Sequence, residues 1–552
     1  MGRRVAAGLA AAAVGASWLA LPPATAPAAG PVAPGHVRVA LHVHTTRSDG
    51  TGSRDEVARA AARAGVAVVV LTDHGDGRRA ADPPAYLDGV LVIDGVEIST
   101  WSGHYVAVGA APAPYPLGGE PRAVVEDVAR LGGFGIAAHP GSAKPALRWR
   151  DWDAPIDGLE WLNGDSVWRD APRRLWRALL AYPWRGVEAV TALIDRPEFE
   201  LAQWDRLAAR RPAVGLAAHD AHARLGLRGG EPYDDGLALG LPSYRVLFGG
   251  FANVVMLPAP LSGEAAADAT RVLATLRAGR SYAVLRGIAP SGALQFVAES
   301  GGARAEMGGW LAPRGLVAVG FAADVPEGAH SRLVCDGQSV ADEAGGRLAW
   351  QSDGIPGACR VEVRVTWDGM ERPWLVTNPI YLRPVLATPP PVTPPATVLG
   401  PFGSEGAAVW AMEHAADATA QLAPSATADA VDVTWQLGAS AETFAAVQMP
   451  TPPLLPSATG VRLRVASDGP RRVWVQLRVP DGGGQRWGSS IYVDGDTREI
   501  DVPFAALAPF GDALQARPPL DRVGALLVVT DTVHAAPGSR GRLTLWPPQL
   551  TR

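Results

Sequence analysis

The 552-residue sequence predicts an α/β domain followed by two β-rich modules, and three observations carry that expectation. From 36 to 290, apolar runs that read as strands alternate with alanine-rich helical stretches. Those runs end in short polar segments rich in histidine and aspartate: LHVHTTRSDG, VVLTDHGD, GHYVAVG, IAAHPG and GLAAHDAH. Beyond 290 the helical period disappears and short alternating segments separated by turn residues take over.

Residues 1–30 open with Arg3 and Arg4, continue through the apolar VAAGLAAAAVGASWLAL and end in small residues around Ala26 and Ala29. This reads as an export signal, either cleaved or kept as an anchor, and so as a secreted or periplasmic protein. No later segment has the length and apolarity of a membrane span. After the first strand, HVRVALHVH, Ser53 and Glu56 form a capping box ahead of VARAAARA, and Gly65 stops that helix. VAVVVL is the next strand. The pattern recurs in PRAVVEDVARLGG before FGIAAHPG, and in PEFELAQWDRLAARR before PAVGLAAHDAH. Strand, helix, strand with polar residues at the strand ends is the logic of a barrel or an open α/β sheet. From 291 to 385, GLVAVGFAADV, SRLVCDG, CRVEVRVTWDG and PWLVTNPIYL suggest a small β-sandwich. Six prolines between Pro384 and Pro395 make 386–399 a semi-rigid linker. Residues 400–552 read as a second β-sandwich, with GVRLRVAS, RRVWVQLRV and GALLVVTD among its strands.

Eight of the eleven histidines lie between His36 and His222. On a strand, residues i and i+2 face the same way, so His42 and His44 are expected to converge, and Asp220 with His222 to repeat the geometry. Asp73 and His74 follow AVVVL, Glu97 follows VLVIDGV, and His139 follows GFGIAA. Each motif alone is as readily surface or core. Together they resist that reading, because burying so many ionisable groups separately is costly unless they are paired or coordinated. Imidazole mixed with carboxylate is the ligand set of Zn, Mn or Fe.

The formal net charge of −5 is small for this length and no dense basic run occurs, so nucleic acid is not expected as a dedicated partner. Lys144, the sole lysine, lies just after His139 and Pro140. The two cysteines, Cys335 and Cys359, share one β-rich segment, and read either as a bridge formed in an oxidising compartment or as two buried thiols. Seven of the eighteen tryptophans fall between Trp149 and Trp204, as core filling or as the rim of an apolar pocket.

Read in order, HVH with the following SDG, LTDH, GVEIS, GHYVAVG, AHPG and HDAH closely resemble the polymerase and histidinol phosphatase (PHP) family of metal-dependent phosphoesterases over 36–290. The resemblance implies a distorted (β/α)7 barrel holding two or three divalent ions, Zn, Mn or Fe. Its matched ligands are His42, His44, Asp49, His74, Glu97, His104, His139, Asp220 and His222, with Glu97 as the bridging carboxylate. Glu97, Asp220 and His222 are the expected catalytic residues. His219 stands where the family commonly has a small residue and is expected to line the pocket. DGLEWLNGDSVW and WLVTNPIY resemble the branch that includes carbaryl-type ester hydrolases. The C-terminal module resembles galactose-binding-like β-sandwiches, which implies glycan contact or a scaffold role.

Asp49, Glu97 and Asp220 would offset part of the charge on the ions, and the remainder would activate water and polarise a phosphoryl or carbonyl oxygen. Lys144, Arg148 and Arg224 are candidates for binding an anionic substrate. The expected substrate is a small phosphoester. The alternatives are a carboxyl or carbamate ester, or no turnover at all in a metal-stabilised, glycan-binding surface protein.

Overall fold

A computed structural model describes residues 32–170, 172–226, 238–384, 398–401, 410–450, 458–480, 484–510, 513 and 515–552. The expected export signal at 1–30 and all but the last two residues of the expected linker lie outside the described residues. The chain divides into two compact units. One comprises Met1–Gly75, Ala81–Ala111 and Val128–Leu386, the other Asp76–Ala80, Pro112–Asp127 and Ala387–Arg552.

In the first unit the strands are β1 (His36–Val43), β2 (Val68–Leu71), β3 (Ala85–Leu87), β4 (Val90–Thr100), β5 (Gly103–Val108), β6 (Phe134–Ala137), β7 (Gly158–Asn163) and β8 (Val214–Ala218). β1, β2 and β4 run parallel, β5 is antiparallel to both β4 and β6, and β6, β7 and β8 are parallel again. All four residues of β2, VVVL, are buried, as an interior parallel strand requires. Past the end of β8 the chain returns to β1, where Val43 and Ala221 form a parallel bridge. His219 N–H donates to the Leu41 carbonyl at 2.8 Å, and His44 N–H donates to that of Ala221 at 3.0 Å.

The helices between these strands are α1 (Arg54–Arg63), α2 (Pro121–Arg130), α3 (Gly164–Asp170), α4 (Pro172–Thr191) and α5 (Glu198–Arg210). α1 starts where the sequence marks it: Ser53 and Glu56 cap each other reciprocally, and Val57, Ala58 and Ala61 are buried. Gly65, at φ +67°, turns the chain out of the helix. A regular (β/α)7 repeat is not shown. The turn from β4 to β5 contains no helix, β5 reverses direction, and α3, α4 and α5 all fall between β7 and β8. The architecture is mixed α/β with a mixed sheet.

Two-residue strands β9 (Leu225–Gly226) and β10 (Ala238–Leu239) precede β11 (Ala252–Met256) and β12 (Ser281–Val284). β11 lies antiparallel to β1 and β12 antiparallel to β11, and β12 then pairs with residues of Met370–Thr377. The described strands between 291 and 384 therefore belong to two sheets, one continuous with the large sheet and one of four strands. Tyr282 and Val284 share a core with Phe296, Phe321, Leu348 and Trp374, which explains the continuity.

Among the described residues the second unit contains two antiparallel sheets, of seven and six strands. Val461, Leu463 and Val465 of one share a core with Val473, Val475, Leu477 and Val528 of the other, the period-two face of a β-sandwich. Among the described residues no helix is long and apolar enough to cross a membrane.

Candidate metal centre

The site gathers residues from within β1, β4 and β5 and from the segments that follow other strands, though simple strand alternation does not bring His42 and His44 together. β1 is bulged between Leu41 and Val43, which leaves His42 at φ +62°, and His44 lies past the end of the strand. Their ring centroids are 5.0 Å apart. Asp220 likewise lies beyond β8 at φ +47°, and His139 follows β6 at φ +28°. Non-glycine residues in this region cost about 1–3 kcal/mol each and persist only where their surroundings over-determine them. Three such residues in one cluster mark a site whose side-chain directions matter more than backbone comfort.

Glu97 is the hub. It is buried, and its Oε1 lies 2.8 Å from His104 Nδ1 and 2.9 Å from His139 Nε2. Its Oε2 lies 3.1 Å from His42 Nε2, 3.2 Å from His74 Nδ1 and 3.3 Å from His44 Nε2. Asp220 Oδ1 stands 3.4 Å from His42 Nε2 and 3.3 Å from His44 Nε2, while Asp49 Oδ2 is 3.2 Å from His222 Nε2. Three overlapping groups have ligand atoms within 4.8 Å of one another: His44, Asp49, His74 and His222; His42, His44 and Asp220; His74, Glu97 and His104. His139 joins them through Glu97. All nine matched ligands are thus brought together.

The residues fit divalent ions. Metal–ligand bonds of ~2.0–2.1 Å in a tetrahedron place neighbouring ligand atoms about 3.3 Å apart, close to the contacts around Glu97 and Asp220. His42 Nε2 and His44 Nε2 are buried without a hydrogen-bond partner, as nitrogens aimed at a cation would be.

Burial opposes ionisation of Glu97 and Asp220, yet the imidazoles around them hold both carboxyls well below the usual range. Burial likewise opposes ionisation of Asp49, but His222, His44 and His74 keep its carboxyl low. Burial would depress His139 and His222, but the carboxylates of Glu97 and Asp49 respectively raise both to about 9. In His74 burial wins, lowering it to about 4. The three carboxylates are therefore ionised at neutral pH, the form in which they ligate.

Buried partners support the ligands. Asp73 accepts from Thr45 N–H at 2.7 Å, from Thr45 Oγ1 at 2.8 Å and from Ser48 Oγ at 2.7 Å, which holds the turn between His44 and Asp49. A parallel bridge sets His74 beside Glu97. Gly103, at φ +104°, lets the turn before His104 pass against Arg148 and Trp149, where a Cβ would come within 2.5 Å of the Trp149 nitrogen. Glu160, to which the sequence reading assigned no role, is fully buried and accepts from His42 Nδ1 at 2.6 Å. Its signal was present: a lone carboxylate in GLEWLN, a strand buried at every position, needs a partner.

His219 does not line a pocket: it is buried, stacks on Phe251 at 4.3 Å, and pairs its Nε2 with the Phe251 carbonyl at 3.0 Å. Burial lowers its pKa to about 4, so it is a neutral packing ring. Lys144 and Arg148 lie half-buried in the loop after His139, and Arg148 Nε donates to the Ser142 carbonyl at 2.7 Å. Arg224 is half-buried two residues after His222. Of the clustered tryptophans, Trp149, Trp161 and Trp204 are core.

No family model matches the chain. The uncharacterized protein MJ1587 of Methanocaldococcus jannaschii is 30% identical over 137 residues, covering 22% of this chain and 80% of that protein. The chain belongs to the MJ1587 family. Among solved structures, a two-domain protein from Bacteroides vulgatus containing a predicted PHP-like metal-dependent phosphoesterase is similar over 65% of this chain and 97% of its own, with 12% identity and a TM-score of 0.29. A family 11 carbohydrate-binding module from Clostridium thermocellum, in complex with a mixed-linked tetrasaccharide, is similar over 28% of this chain and 97% of its own, with 15% identity and a TM-score of 0.24.

Proposed function

We propose that the chain is an exported metal-dependent hydrolase of phosphoesters. One observation carries this reading: Glu97 presents both carboxylate oxygens to five imidazoles, beside three ligand groups of which the first shares His44 with the second and His74 with the third. Such sharing suits two or three divalent ions rather than one. When bound, such ions supply an activated water and a Lewis acid for the phosphoryl oxygen. The chain's own residues do the rest. His42, His44, Asp49, His74, Glu97, His104, His139, Asp220 and His222 are the holding set, and Asp220 is the proposed proton acceptor. Lys144, Arg148 and Arg224 are proposed to meet the substrate's anionic group.

The reading takes 36–290 as a distorted barrel of PHP type, 291–385 as a β-module, 386–399 as a linker and 400–552 as a module for glycan contact or scaffolding. Export is supported by the Cys335–Cys359 disulfide, a bond that suits an oxidising compartment. An aryl carboxyl or carbamate ester is the second reading. It is favoured by Trp101, 47% exposed on the turn that leads to His104.

The test is a parallel assay of an aryl phosphate, an aryl phosphodiester and an aryl acetate or carbamate with added Mn or Zn. Wild type and His42→Ala are compared. Phosphoester turnover lost in the variant is expected. Metal-dependent turnover of the carboxyl or carbamate ester alone would shift the assignment to the second reading.

A further inference from the structure

We propose that Glu160 is a positioning residue for the metal centre, holding His42, His139 and Asp220, which come from three different strand ends, in one ligating arrangement. The inference rests on the metal-centre reading above. Glu160 belongs to none of the three ligand groups, yet it is fully buried beside them. A 2.6 Å contact between its Oε1 and His42 Nδ1 requires a proton between the two atoms. With that proton on Nδ1, the His42 lone pair lies on Nε2, the nitrogen that stands 3.1 Å from Glu97 Oε2 and 3.4 Å from Asp220 Oδ1. The opposite tautomer would put hydrogen where an ion must bind.

The second oxygen of the same carboxylate extends the arrangement. Glu160 Oε2 accepts from His139 N–H at 2.7 Å, fixing the backbone where that residue adopts positive φ. It also accepts from Asn163 Nδ2 at 2.8 Å, and the same amide nitrogen reaches Asp220 Oδ2 at 3.2 Å. Asn163 is in turn anchored, because its Oδ1 accepts from Ser166 N–H at 2.9 Å at the start of α3. The topology makes this possible: β7, which carries Glu160 and Asn163, pairs with β6 on one side and β8 on the other. Glutamine cannot replace this carboxylate, since an amide offers only one acceptor oxygen to His42 Nδ1 and His139 N–H.

The experiment titrates the metal-stripped full chain with Co²⁺ and follows the visible absorption of the bound ion. It compares wild type, Glu160→Gln, Glu160→Ala and Asn163→Ala. Wild type is expected to bind two or more Co²⁺. Glu160→Gln is expected to weaken one class of site about 10- to 100-fold, the usual effect of losing a partner behind a metal-bound histidine. Its absorption band should change while the melting temperature of the metal-free protein stays close to wild type. Glu160→Ala should lose at least as much, and Asn163→Ala, which keeps the carboxylate, less. If Glu160→Ala fails to fold, Glu160→Gln and Asn163→Ala carry the comparison. Unchanged Co²⁺ affinity and band in Glu160→Gln would overturn this inference alone. So would a lower metal-free melting temperature with an unchanged band, the mark of a purely structural residue. Wild type that takes up no Co²⁺ would overturn the metal-centre reading itself.

Discussion

Val43 and Ala221 pair across a parallel bridge, and each is flanked by two candidate ligands: His42 and His44 on one side, Asp220 and His222 on the other. The bridge brings residues almost 180 positions apart into one cluster, and His44 stacks on His222 with ring centroids 4.1 Å apart.

Because His42 and Asp220 belong to the same ligand group, their losses should not add. His42→Ala and Asp220→Ala are each expected to abolish turnover and weaken one ion more than ~100-fold, beyond the effect of a partner behind the ligand. The double variant should be no worse than the weaker single. Competition against a chromophoric chelator measures all three, and fully additive losses would assign the two residues to different ions.

Replacing His219 with phenylalanine keeps the stacking on Phe251 but leaves the Phe251 carbonyl without its buried donor. The expected cost is about 1–3 kcal/mol of stability, with KM unchanged. Denaturant unfolding together with steady-state kinetics checks this. A raised KM at unchanged stability would return His219 to the substrate pocket.

Cys335 and Cys359 sit directly opposite each other in an antiparallel pair and close a loop with a sequence separation of 24. Converting both to alanine is expected to destabilise the first unit by about 3 kcal/mol, chiefly by freeing the unfolded chain. The shift in the chemical-denaturation midpoint measures it. In the wild type, reduction should produce a similar shift.

His534 in the second unit is buried against Trp474. Burial, with the Arg472 charge adding, lowers its pKa from 6.5 to about 3. A depressed folded pKa means that its contribution is fully present above the unfolded value. That contribution is lost as pH falls from about 6.5 toward 3, on the order of a few kcal/mol in all. The stability difference between His534→Phe and wild type, followed from about pH 7.5 to about 4, should move in the variant's favour as pH falls. A difference that does not change with pH would show that the ring titrates in the folded chain as it does in the unfolded one.

What the sequence by itself determined is chemical and local. The order HVH, SDG, LTDH, GVEIS, GHYVAVG, AHPG, HDAH names all nine clustered candidate ligands, because ligand type is a property of the residue and strand ends are legible from where apolar runs stop. The Ser53–Glu56 capping box was legible for the same reason, since its partners are three residues apart. Alternation likewise exposed the strands of the second unit, such as Gly460–Ser467 and Arg471–Arg478. Tertiary structure alone decided what depends on distant partners. The bulge that turns His42, the packing of His219 on Phe251 and the joining of Glu160 to His42 across 118 positions have no local signature. The same holds for the strands after 291 that extend the large sheet, because strand pairing is a choice between edges brought together only by folding. Periodicity reports which face of an element is buried, and only the folded chain shows what it is buried against.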